Sequence, residues 1–434
     1  MVKRIDDRNE KDRVIGYKKD NMVSLDNIIK AAQNLQGVSM HTPLQYNLQL
    51  SEEFGCNVYL KREDLQVVRS YKIRGAYNKI SSLSDAEKQN GVVCASAGNH
   101  AQGVAYSCRK LNIKGTIFMP ATTPSQKINQ VKLFGKEHIN VVLVGDTFDD
   151  AYKAAVEFCT SKSAAFVHPF DDEKVIAGQG TVAKEIAEDA DFEIDYILVP
   201  IGGGGLAAGC VSYLSQTKPN IKIIGVEPEG APSMKTSIAN GYNTELKEID
   251  KFVDGAAVKK VGDITFEICK QKLSKVVLVP EGKVCTTILN LYNQQAIVVE
   301  PAGALTVASL HYLKDELNGK NVVCVVSGSN NDIMRTEEIR ERSLLFEGLK
   351  HFFVIRFPQR AGALKEFVGN VLGPNDDIVH FEYMKKNNRE NGPALVGLEI
   401  KESQDLELLK NNLIKSGFQF EYLNKNDNLL QFLI

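Results

Sequence analysis

Short apolar segments alternate with longer segments of helical composition along most of this chain, and this pattern restricts its fold more than any other feature. The apolar segments are rich in β-branched residues and run without polar interruptions, which is typical of strands covered on both faces. Strands that alternate with helices form parallel sheets of the α/β class. The predicted strands lie at residues 58–60, 92–95, 115–119, 141–144, 196–199, 221–226, 277–279 and 322–326.

The pattern changes near residue 340, where a charged stretch is followed by a different series of elements. Their order is βαββαβ, the ferredoxin-like arrangement, and about 80 residues suffice for such a module to fold as its own domain. The predicted elements are a strand at 351–357, a helix at 361–372, strands at 377–386 and 394–401, a helix at 403–416 and a strand at 418–423.

Composition and charge exclude several classes of protein. The chain has 434 residues, of which 43% are hydrophobic and 24% charged, as in ordinary soluble globular proteins. Its net charge of −2 gives no electrostatic footprint for nucleic acid or a membrane surface. No apolar stretch is long enough to span a bilayer, and the charged N-terminal residues lack a signal-peptide core. We therefore predict a cytoplasmic protein that binds neither nucleic acid nor a membrane.

The cysteines give no sign of a metal or redox site. None of the eight forms a C-x-x-C pair, so neither a thiolate zinc site nor a redox dithiol is expected. Several lie inside apolar runs, such as Cys94 and Cys324. We predict reduced thiols that act as small buried hydrophobic groups.

A run of glycines between a predicted strand and a predicted helix indicates an anion site. Glycine lets the backbone approach an anion closely while the N–H groups at the helix start point towards it, so a phosphate is the predicted ligand. Packing alone does not require the backbone entropy that such a run loses on folding. The run consists of Gly202, Gly203, Gly204 and Gly205.

The kind of phosphate stays open at this point. Gly202, Gly204 and Ala207 satisfy the dinucleotide pattern G-x-G-x-x-G/A, and Glu227 lies where a ribose-binding acid is expected. A dinucleotide-dependent oxidoreductase is therefore one alternative, and a binding protein without catalytic activity is another. A nucleoside-triphosphate P-loop is excluded because the chain has no G-x-x-x-x-G-K-[ST] pattern.

Three further polar segments are candidates for the same site. Lys72 precedes a glycine turn, and a lysine in a partly desolvated pocket loses its proton readily and forms Schiff bases. Ser327 follows the last predicted strand of the α/β region, at the sheet edge where ligands of this fold class bind. A second helix-start anion site, with an asparagine able to bond a ring hydroxyl, is predicted at Ser96, Ala97, Gly98, Asn99 and His100.

Together these motifs resemble the fold-type II pyridoxal-phosphate enzymes and, within them, the biosynthetic threonine dehydratases. The resemblance covers nearly all of residues 25–345, in the family's order. The segments that carry it are Thr-Pro-Leu at 42–44, Lys-Arg-Glu-Asp at 61–64, residues 70–76 and 96–100, His-Pro-Phe-Asp-Asp at 168–172, residues 178–181 and 202–208, Glu-Pro-Ala-Gly-Ala at 300–304, and Ser-Gly at 327–328.

The resemblance implies a fold and a domain organisation. It implies two open, twisted, mostly parallel sheets with helices on both faces in a pyridoxal-phosphate-dependent domain at 1–345, with a smaller lobe inserted at roughly 60–170. It also implies an ACT-like α+β regulatory domain, of ferredoxin-like fold, at 346–434. The implied cofactor is pyridoxal 5′-phosphate, and no metal is expected.

The resemblance also implies roles for single residues. Lys72 would form the Schiff base with the cofactor and move the α-proton, and Asn99 would bond the ring hydroxyl. Ser327 would face the pyridine nitrogen, and Glu300 matches a family acid near the ring without an assigned role. The cofactor phosphate would lie on Gly202, Gly203, Gly204, Gly205 and Leu206. The substrate carboxylate would lie on the backbone and hydroxyl donors of Ser96, Ala97, Gly98, Asn99 and His100.

Two departures from related enzymes narrow the expected reaction. Racemases of this scaffold have a serine where this chain has Ala97, and a cation-binding carboxylate where it has Ser233. A neutral serine opposite the pyridine nitrogen gives a weak electron sink, which suits β-elimination. We expect L-threonine to yield 2-oxobutanoate and ammonia, the first step of isoleucine biosynthesis. L-Serine is expected to react too, because one methyl group is worth only ~1–3 kcal/mol.

The C-terminal module resembles the ACT-like regulatory domains of these dehydratases at residues 357–364. Such domains bind an amino acid at the first strand–helix turn, where Gly362 would allow close approach of the ligand. The implied effector is isoleucine or valine, and the implied assembly is a homotetramer. A purely structural oligomerisation module is the alternative.

Overall fold

The architecture is taken from a computed structural model, which describes residues 22–383 and 390–426. Its strands are β1 (Leu44–Tyr46), β2 (Asn57–Arg62), β3 (Val92–Ala95), β4 (Gly115–Met119), β5 (Ile139–Leu143), β6 (Ala165–Phe166), β7 (Tyr196–Pro200), β8 (Lys222–Pro228), β9 (Lys275–Val279), β10 (Asn321–Val326), β11 (Lys350–Pro358), β12 (Asp377–Tyr383), β13 (Asn391–Glu399) and β14 (Gln419–Tyr422). Its α-helices are α1 (Leu25–Asn34), α2 (Leu48–Phe54), α3 (Lys72–Ser81), α4 (Asp85–Asn90), α5 (Asn99–Leu111), α6 (Ser125–Gly135), α7 (Phe148–Lys162), α8 (Glu173–Asp189), α9 (Gly205–Thr217), α10 (Ser233–Asn240), α11 (Asp263–Lys272), α12 (Glu281–Gln295), α13 (Pro301–Leu317), α14 (Thr336–Phe346), α15 (Ala363–Asn370) and α16 (Asp405–Lys415).

The largest sheet has six strands in the order β1-β2-β10-β7-β8-β9. All its pairings are parallel except that of β1 with β2. Its central strand β10 has apolar side chains on both faces: Val322 and Cys324 face the core formed with α12 and α13, and Val323 faces the core formed with α8 and α9. This two-sided burial explains why the strand has a continuous apolar sequence.

The second sheet lies inside the segment predicted to form a smaller lobe and has the order β5-β4-β3-β6, with every pairing parallel. Its strand β3 has Val92 and Cys94 on the face covered by α3 and α5, and Val93 and Ala95 on the face covered by α7. Both sheets therefore have helices on both faces, and the predicted fold class is confirmed.

The third sheet is antiparallel, in the order β12-β13-β11-β14, and lies in the C-terminal part of the chain. Phe353 and Ile355 of β11 pack against Phe367 of α15 and against Leu409 and Leu413 of α16. The predicted βαββαβ order is confirmed, although the helix predicted at 361–372 is shorter at both ends. The strand predicted at 377–386 extends past Tyr383 into residues that lie outside the described ones. The domain boundary at 345 stays a prediction.

The sequence missed two strands, β1 and β6, which span three and two residues and are too short for a periodic pattern. The described cysteines are all free thiols and all but Cys159 are buried, as expected. In the described residues, no helix is long and apolar enough to cross a membrane.

Candidate active site

Lys72 lies at the first position of α3, beside the end of the central strand β10. The segment before it is held to that strand end: Ser70 pairs with Gly328, and the Tyr71 N–H donates to the carbonyl of Ser327 at 3.2 Å. These contacts bring Lys72 and Ser327 together although 255 positions separate them (327 − 72). The sequence predicted both residues for one site, and the structure places them side by side.

The surroundings of the Lys72 amine lower its pKa. Its Nζ donates to the carbonyl of Pro169 at 2.8 Å. Burial lowers the pKa of Lys72 to about 8, against an opposing effect of the Glu300 carboxylate. A neutral amine is the form that attacks a carbonyl carbon, so the surroundings of Lys72 favour Schiff-base chemistry.

The glycine run lies between β7 and α9, and two of its four members are packed closely against the segment at 168–172. A Cβ atom on Gly203 would lie 2.2 Å from the ring of Phe170, and one on Gly205 would lie 3.0 Å from Phe170 Cα. Gly204 has a φ of +92°, which side chains disfavour. The expectation that packing does not require this run was wrong, since any side chain at Gly203 would collide with Phe170.

The glycine run still presents a helix N-terminus to a ligand. The helix α9 begins at Gly205, and its first N–H groups have no partner within the helix. The glycine run is also bonded to α11, because Thr265 Oγ1 donates to the carbonyl of Gly203 at 2.7 Å. Leu206 is buried in the core at the start of the helix, so it can offer a ligand only its backbone N–H. The arrangement fits an anion such as a phosphate.

The segment at 168–172 joins Lys72 to the glycine run. Pro169 accepts the bond from Lys72, and the next residue, Phe170, covers the glycines. Asp171 accepts from the N–H groups of Asp263 and Ile264 at the start of α11, at 3.0 and 2.9 Å. Sequence reasoning used this segment only as part of the resemblance and missed its contacts with the site. The resemblance was the one signal that could have found it.

Asn99, at the start of α5, is bound on both sides of its amide group. Its Nδ2 donates to Glu300 Oε1 at 2.6 Å, and its Oδ1 accepts from Asn330 Nδ2 at 2.5 Å. Burial, followed by the charge of Asp254, raises the pKa of Glu300 to about 7. Glu300 and Asn330 were not among the predicted site residues.

The other predicted residues of this loop lie between β3 and α5. Ser96 Oγ accepts from the Gly98 N–H at 3.3 Å, and Ala97 and Gly98 are partly exposed. His100 is turned into the core, where its Nε2 bonds to the carbonyl of Val167 at 2.8 Å. Burial lowers the pKa of His100 to about 3, so its ring is neutral. The other ring nitrogen of His100, Nδ1, is buried and has no hydrogen-bond partner among the described residues.

The acid of the dinucleotide alternative is not free to bind a ribose. Both oxygens of Glu227 accept backbone N–H groups at the start of α10, from Met234 at 2.7 Å and Lys235 at 2.9 Å. Ser233, which stands at the racemases' cation position, donates its hydroxyl to the carbonyl of Val258. Among the described residues, no group of three or more His, Cys, Asp or Glu side chains could hold a metal ion.

Two family models match this chain. One describes pyridoxal-phosphate dependent enzymes and matches residues 37–328, and the other describes the C-terminal regulatory domain of threonine dehydratase and matches residues 341–433. A biosynthetic L-threonine dehydratase of Halalkalibacterium halodurans is 60% identical over 412 residues, which are 95% of this chain and 99% of that protein. The chain belongs to the biosynthetic threonine dehydratases.

Other relatives include two more threonine-deaminating enzymes and a serine racemase. The biosynthetic L-threonine dehydratase of Bacillus subtilis is 57% identical over 96% of this chain and 99% of its own length. The structure of threonine deaminase isoform 2 from Solanum lycopersicum has a TM-score of 0.70 at 39% identity, over 75% of this chain and 90% of that one. Serine racemase from Dictyostelium discoideum has a TM-score of 0.67 at 32% identity, over 72% of this chain and 99% of that one.

The family and its cofactor, pyridoxal 5′-phosphate, are therefore as the sequence predicted. The residues of this dehydratase fit the cofactor by their chemistry and position. Lys72 offers an amine with a lowered pKa, and the glycine run leads into the N-terminus of α9, whose first N–H groups have no partner within the helix. The cofactor would therefore lie between α3 and the start of α9, with Asn99 and Ser327 at its ring.

Proposed function

We propose that this protein is a threonine ammonia-lyase, which converts L-threonine to 2-oxobutanoate and ammonia. The water lost in the β-elimination is balanced by the water that hydrolyses the resulting imine, so ammonia is the only net loss. The observation that carries the proposal is the Lys72 amine. Its pKa is lowered to about 8, it bonds the carbonyl of Pro169 next to the residue that covers the glycine run, and its preceding residue bonds the carbonyl of Ser327. A 60% identical relative that is named a biosynthetic L-threonine dehydratase supports the choice of substrate.

Each residue of the site has a proposed task. Bound pyridoxal phosphate supplies the electron sink for negative charge at the α-carbon of the substrate. Lys72 Nζ would hold the cofactor aldehyde and then carry the α-proton. Asn99 would bond the ring hydroxyl, and Ser327, 1% exposed, would face the pyridine nitrogen without charge. The N–H groups of Gly202, Gly203, Gly204, Gly205 and Leu206 would hold the phosphate, and the substrate carboxylate would lie on Ser96, Ala97, Gly98, Asn99 and His100.

The choice of elimination over racemisation depends on Ala97. A racemase needs a second acid–base group on the face of the α-carbon opposite the lysine, and Ala97 has no proton to give. Ser327 adds to this preference because a hydroxyl does not stabilise a protonated pyridine nitrogen as a carboxylate does. Lys72 would remove the α-proton from one face, and with Ala97 in this position no acid at that place would return a proton from the other face, so loss of the β-hydroxyl is the expected outcome.

The purified protein is expected to form 2-oxobutanoate from L-threonine and pyruvate from L-serine. The kcat/KM for threonine should exceed that for serine by roughly 10- to 200-fold at most, because the two substrates differ by one methyl group. The measurement is a coupled keto-acid assay with each amino acid. Conversion of L-serine to D-serine without keto-acid formation would contradict the proposal.

We propose further that isoleucine, or valine, binds the C-terminal domain and regulates the enzyme. Gly362, at the strand–helix turn, has a φ of +86° and open space around it, which suits a turn that receives a ligand. The matched model of a regulatory domain supports this role. A homotetramer in the cytoplasm is the proposed assembly and location.

A continuous set of contacts leads from the regulatory domain to the cofactor site. Lys350 of β11 donates to Glu341 of α14 at 2.6 Å. The next residue along α14, Arg342, lies 4.4 Å from the ring centre of Phe252. The segment that follows Phe252 packs on Gly202, where an added Cβ atom would lie 3.0 Å from Ala256 Cα. A shift of α14 would thus be expected to move the backbone that packs against Gly202 in the glycine run.

Leu364→Glu is expected to weaken inhibition by isoleucine at least tenfold while leaving uninhibited turnover within about twofold. Leu364 is 47% exposed in the first turn of α15, next to Gly362, so the new charge disturbs the proposed binding turn without entering the core. The measurement is an isoleucine titration of the full-length enzyme.

The matched control is Leu408→Glu, at an exposed leucine in the first turn of α16. Because β11 and β13 are antiparallel, the turns that follow them lie at opposite ends of the sheet. The control should keep the isoleucine response of the unmodified enzyme. Equal loss of inhibition in both variants would rule out the turn at Gly362 as the effector site.

A further inference from the structure

The amide of Asn99 is part of a closed ring of hydrogen bonds. Asn330 donates through its Nδ2 to Asn99 Oδ1 at 2.5 Å and through its backbone N–H to Glu300 Oε2 at 3.2 Å. Asn99 Nδ2 completes the ring by donating to Glu300 Oε1 at 2.6 Å. Three side chains from distant parts of the chain therefore meet at one amide group.

One backbone carbonyl sets the direction of every bond in this ring. Asn330 Nδ2 also donates to the carbonyl of Val68 at 3.0 Å, and a carbonyl oxygen can only accept. The nitrogen of Asn330 is thereby identified, so Asn99 must present its oxygen to it. Asn99 then presents its nitrogen to Glu300, whether that carboxyl group is ionised or not.

This closed set of hydrogen bonds uses only one of the two hydrogens on Asn99 Nδ2. An amide nitrogen has two hydrogens, and Glu300 takes only one of those on Asn99 Nδ2. If the amide of Asn99 turned over, its oxygen would face the oxygen of Glu300 and its nitrogen would face the nitrogen of Asn330. Because the Asn99 amide cannot turn over, the second hydrogen on its Nδ2 points in one fixed direction.

Glu300 is itself held in place. It is 6% exposed, its N–H donates to the carbonyl of Gly328 at 3.1 Å, and it stands directly before α13. A Cβ atom on Gly328 would lie 2.5 Å from Glu300 Oε1, so this position leaves no room for a side chain. Because Gly328 follows Ser327, this set of hydrogen bonds lies at the end of β10, where Lys72 and Ser327 also lie.

We propose that Glu300 and Asn330 are positioning residues, which orient the Asn99 amide so that its free Nδ2 hydrogen points at the ring hydroxyl of bound pyridoxal phosphate. The inference rests on the proposed role of Asn99. Neither residue touches the substrate, and each acts through Asn99. The consequence is that removing Asn99 should make Glu300 and Asn330 irrelevant to cofactor binding.

A double-mutant cycle tests this dependence. The variants are Asn99→Ala, Glu300→Gln, Asn330→Ala and the two double variants that contain Asn99→Ala. Each is freed of cofactor and titrated with pyridoxal phosphate, and both the Kd and the visible absorbance maximum of the bound cofactor are measured. We expect each single substitution to weaken binding roughly tenfold, the worth of about one hydrogen bond, and to shift the absorbance maximum.

In the Asn99→Ala background, Glu300→Gln and Asn330→Ala should change neither the Kd nor the absorbance maximum further. Losses that multiply in the double variants would overturn the proposal, as would single variants with unchanged Kd and spectrum. Two independent variants are included because either one alone could fail to fold, and thermal unfolding of the apo-protein reports this.

The matched control is Glu281→Gln. Glu281 is also a partly buried glutamate at a helix start, and its Oε1 accepts from the Gly230 N–H at 2.8 Å. This variant should bind pyridoxal phosphate as the unmodified protein does. If Asn99→Ala leaves cofactor binding unchanged, the role of Asn99 fails together with the inference, whereas threonine turnover tests the proposed function separately.

Discussion

Lys72→Ala is expected to reduce threonine elimination by at least ~10³-fold, the largest effect of any single substitution in this chain. The alanine removes the amine that holds the cofactor and also the base that carries the α-proton. Neither nearby histidine of the described residues is placed to replace it: His100 is turned into the core and bonds the carbonyl of Val167, and His168 Nδ1 accepts the N–H groups of Phe170 and Asp171. The measurements are keto-acid formation and the visible absorbance of the cofactor-loaded protein, and both should be lost.

The matched control is Lys110→Ala, at an exposed lysine on the neighbouring helix α5. It should retain at least half of the normal rate. Full activity in Lys72→Ala would rule out Lys72 as the residue that holds the cofactor and carries the α-proton.

The pH dependence of cofactor uptake gives a second view of Lys72. The pKa of its amine is lowered to about 8, and the neutral form is the nucleophile. Uptake of pyridoxal phosphate by the cofactor-free protein should therefore accelerate as the pH rises through about 8 and level off above it. Stopped-flow absorbance measures this rate, and a rate that falls over that range would contradict the lowered pKa.

Arg74→Leu is expected to lower the free energy of unfolding by about 3–5 kcal/mol, because it leaves the buried Glu63 carboxylate without its counter-ion, whereas Glu185 keeps Lys61 at 2.7 Å. Arg74 is 1% exposed and donates Nε and Nη2 to Glu63 at 2.8 Å each. It also donates Nη1 and Nη2 to Glu185 at 2.6 and 2.8 Å. Leucine can fill much of the space, but it cannot replace these four bonds.

We expect the buried ion pairs of Arg74 to contribute more to the free energy of unfolding than an exposed ion pair does. Arg360→Leu is the control, since Arg360 is 59% exposed and forms a single ion pair with Glu366. It should change the stability by no more than about 1 kcal/mol. Urea denaturation followed by circular dichroism measures both variants, and equal midpoints would show that burial does not set the strength of these pairs.

The position of Arg74 also explains how α3 is anchored. This helix carries Lys72 at its first residue, and Arg74 ties it to β2 through the adjacent Glu63 and to α8 through Glu185. We therefore expect the Arg74→Leu variant that remains folded to bind pyridoxal phosphate less tightly as well.

Much of this protein follows from local sequence. Continuous β-branched segments predicted strands such as β3, β4 and β10, because each is buried on both faces and needs no polar positions. The combined motifs predicted the family and the cofactor, and they named Lys72, Ser327 and the glycine run for one site. Residue types in a fixed order are enough for this, since each motif lies at a strand end or a helix start.

Tertiary structure alone decided what surrounds those residues. Asn99 meets Glu300 across 201 positions and Asn330 across 231, and no local pattern specifies such a pair. The collision of a Gly203 side chain with Phe170 was equally invisible, and it corrected the reason for the glycines. Periodicity records which face of an element is buried, whereas contacts between distant side chains depend on how the sheets and helices pack. The sequence by itself thus determined the family, the fold class and the cofactor and predicted the site residues, whereas only the packing decided the bonding and the pKa values of those residues.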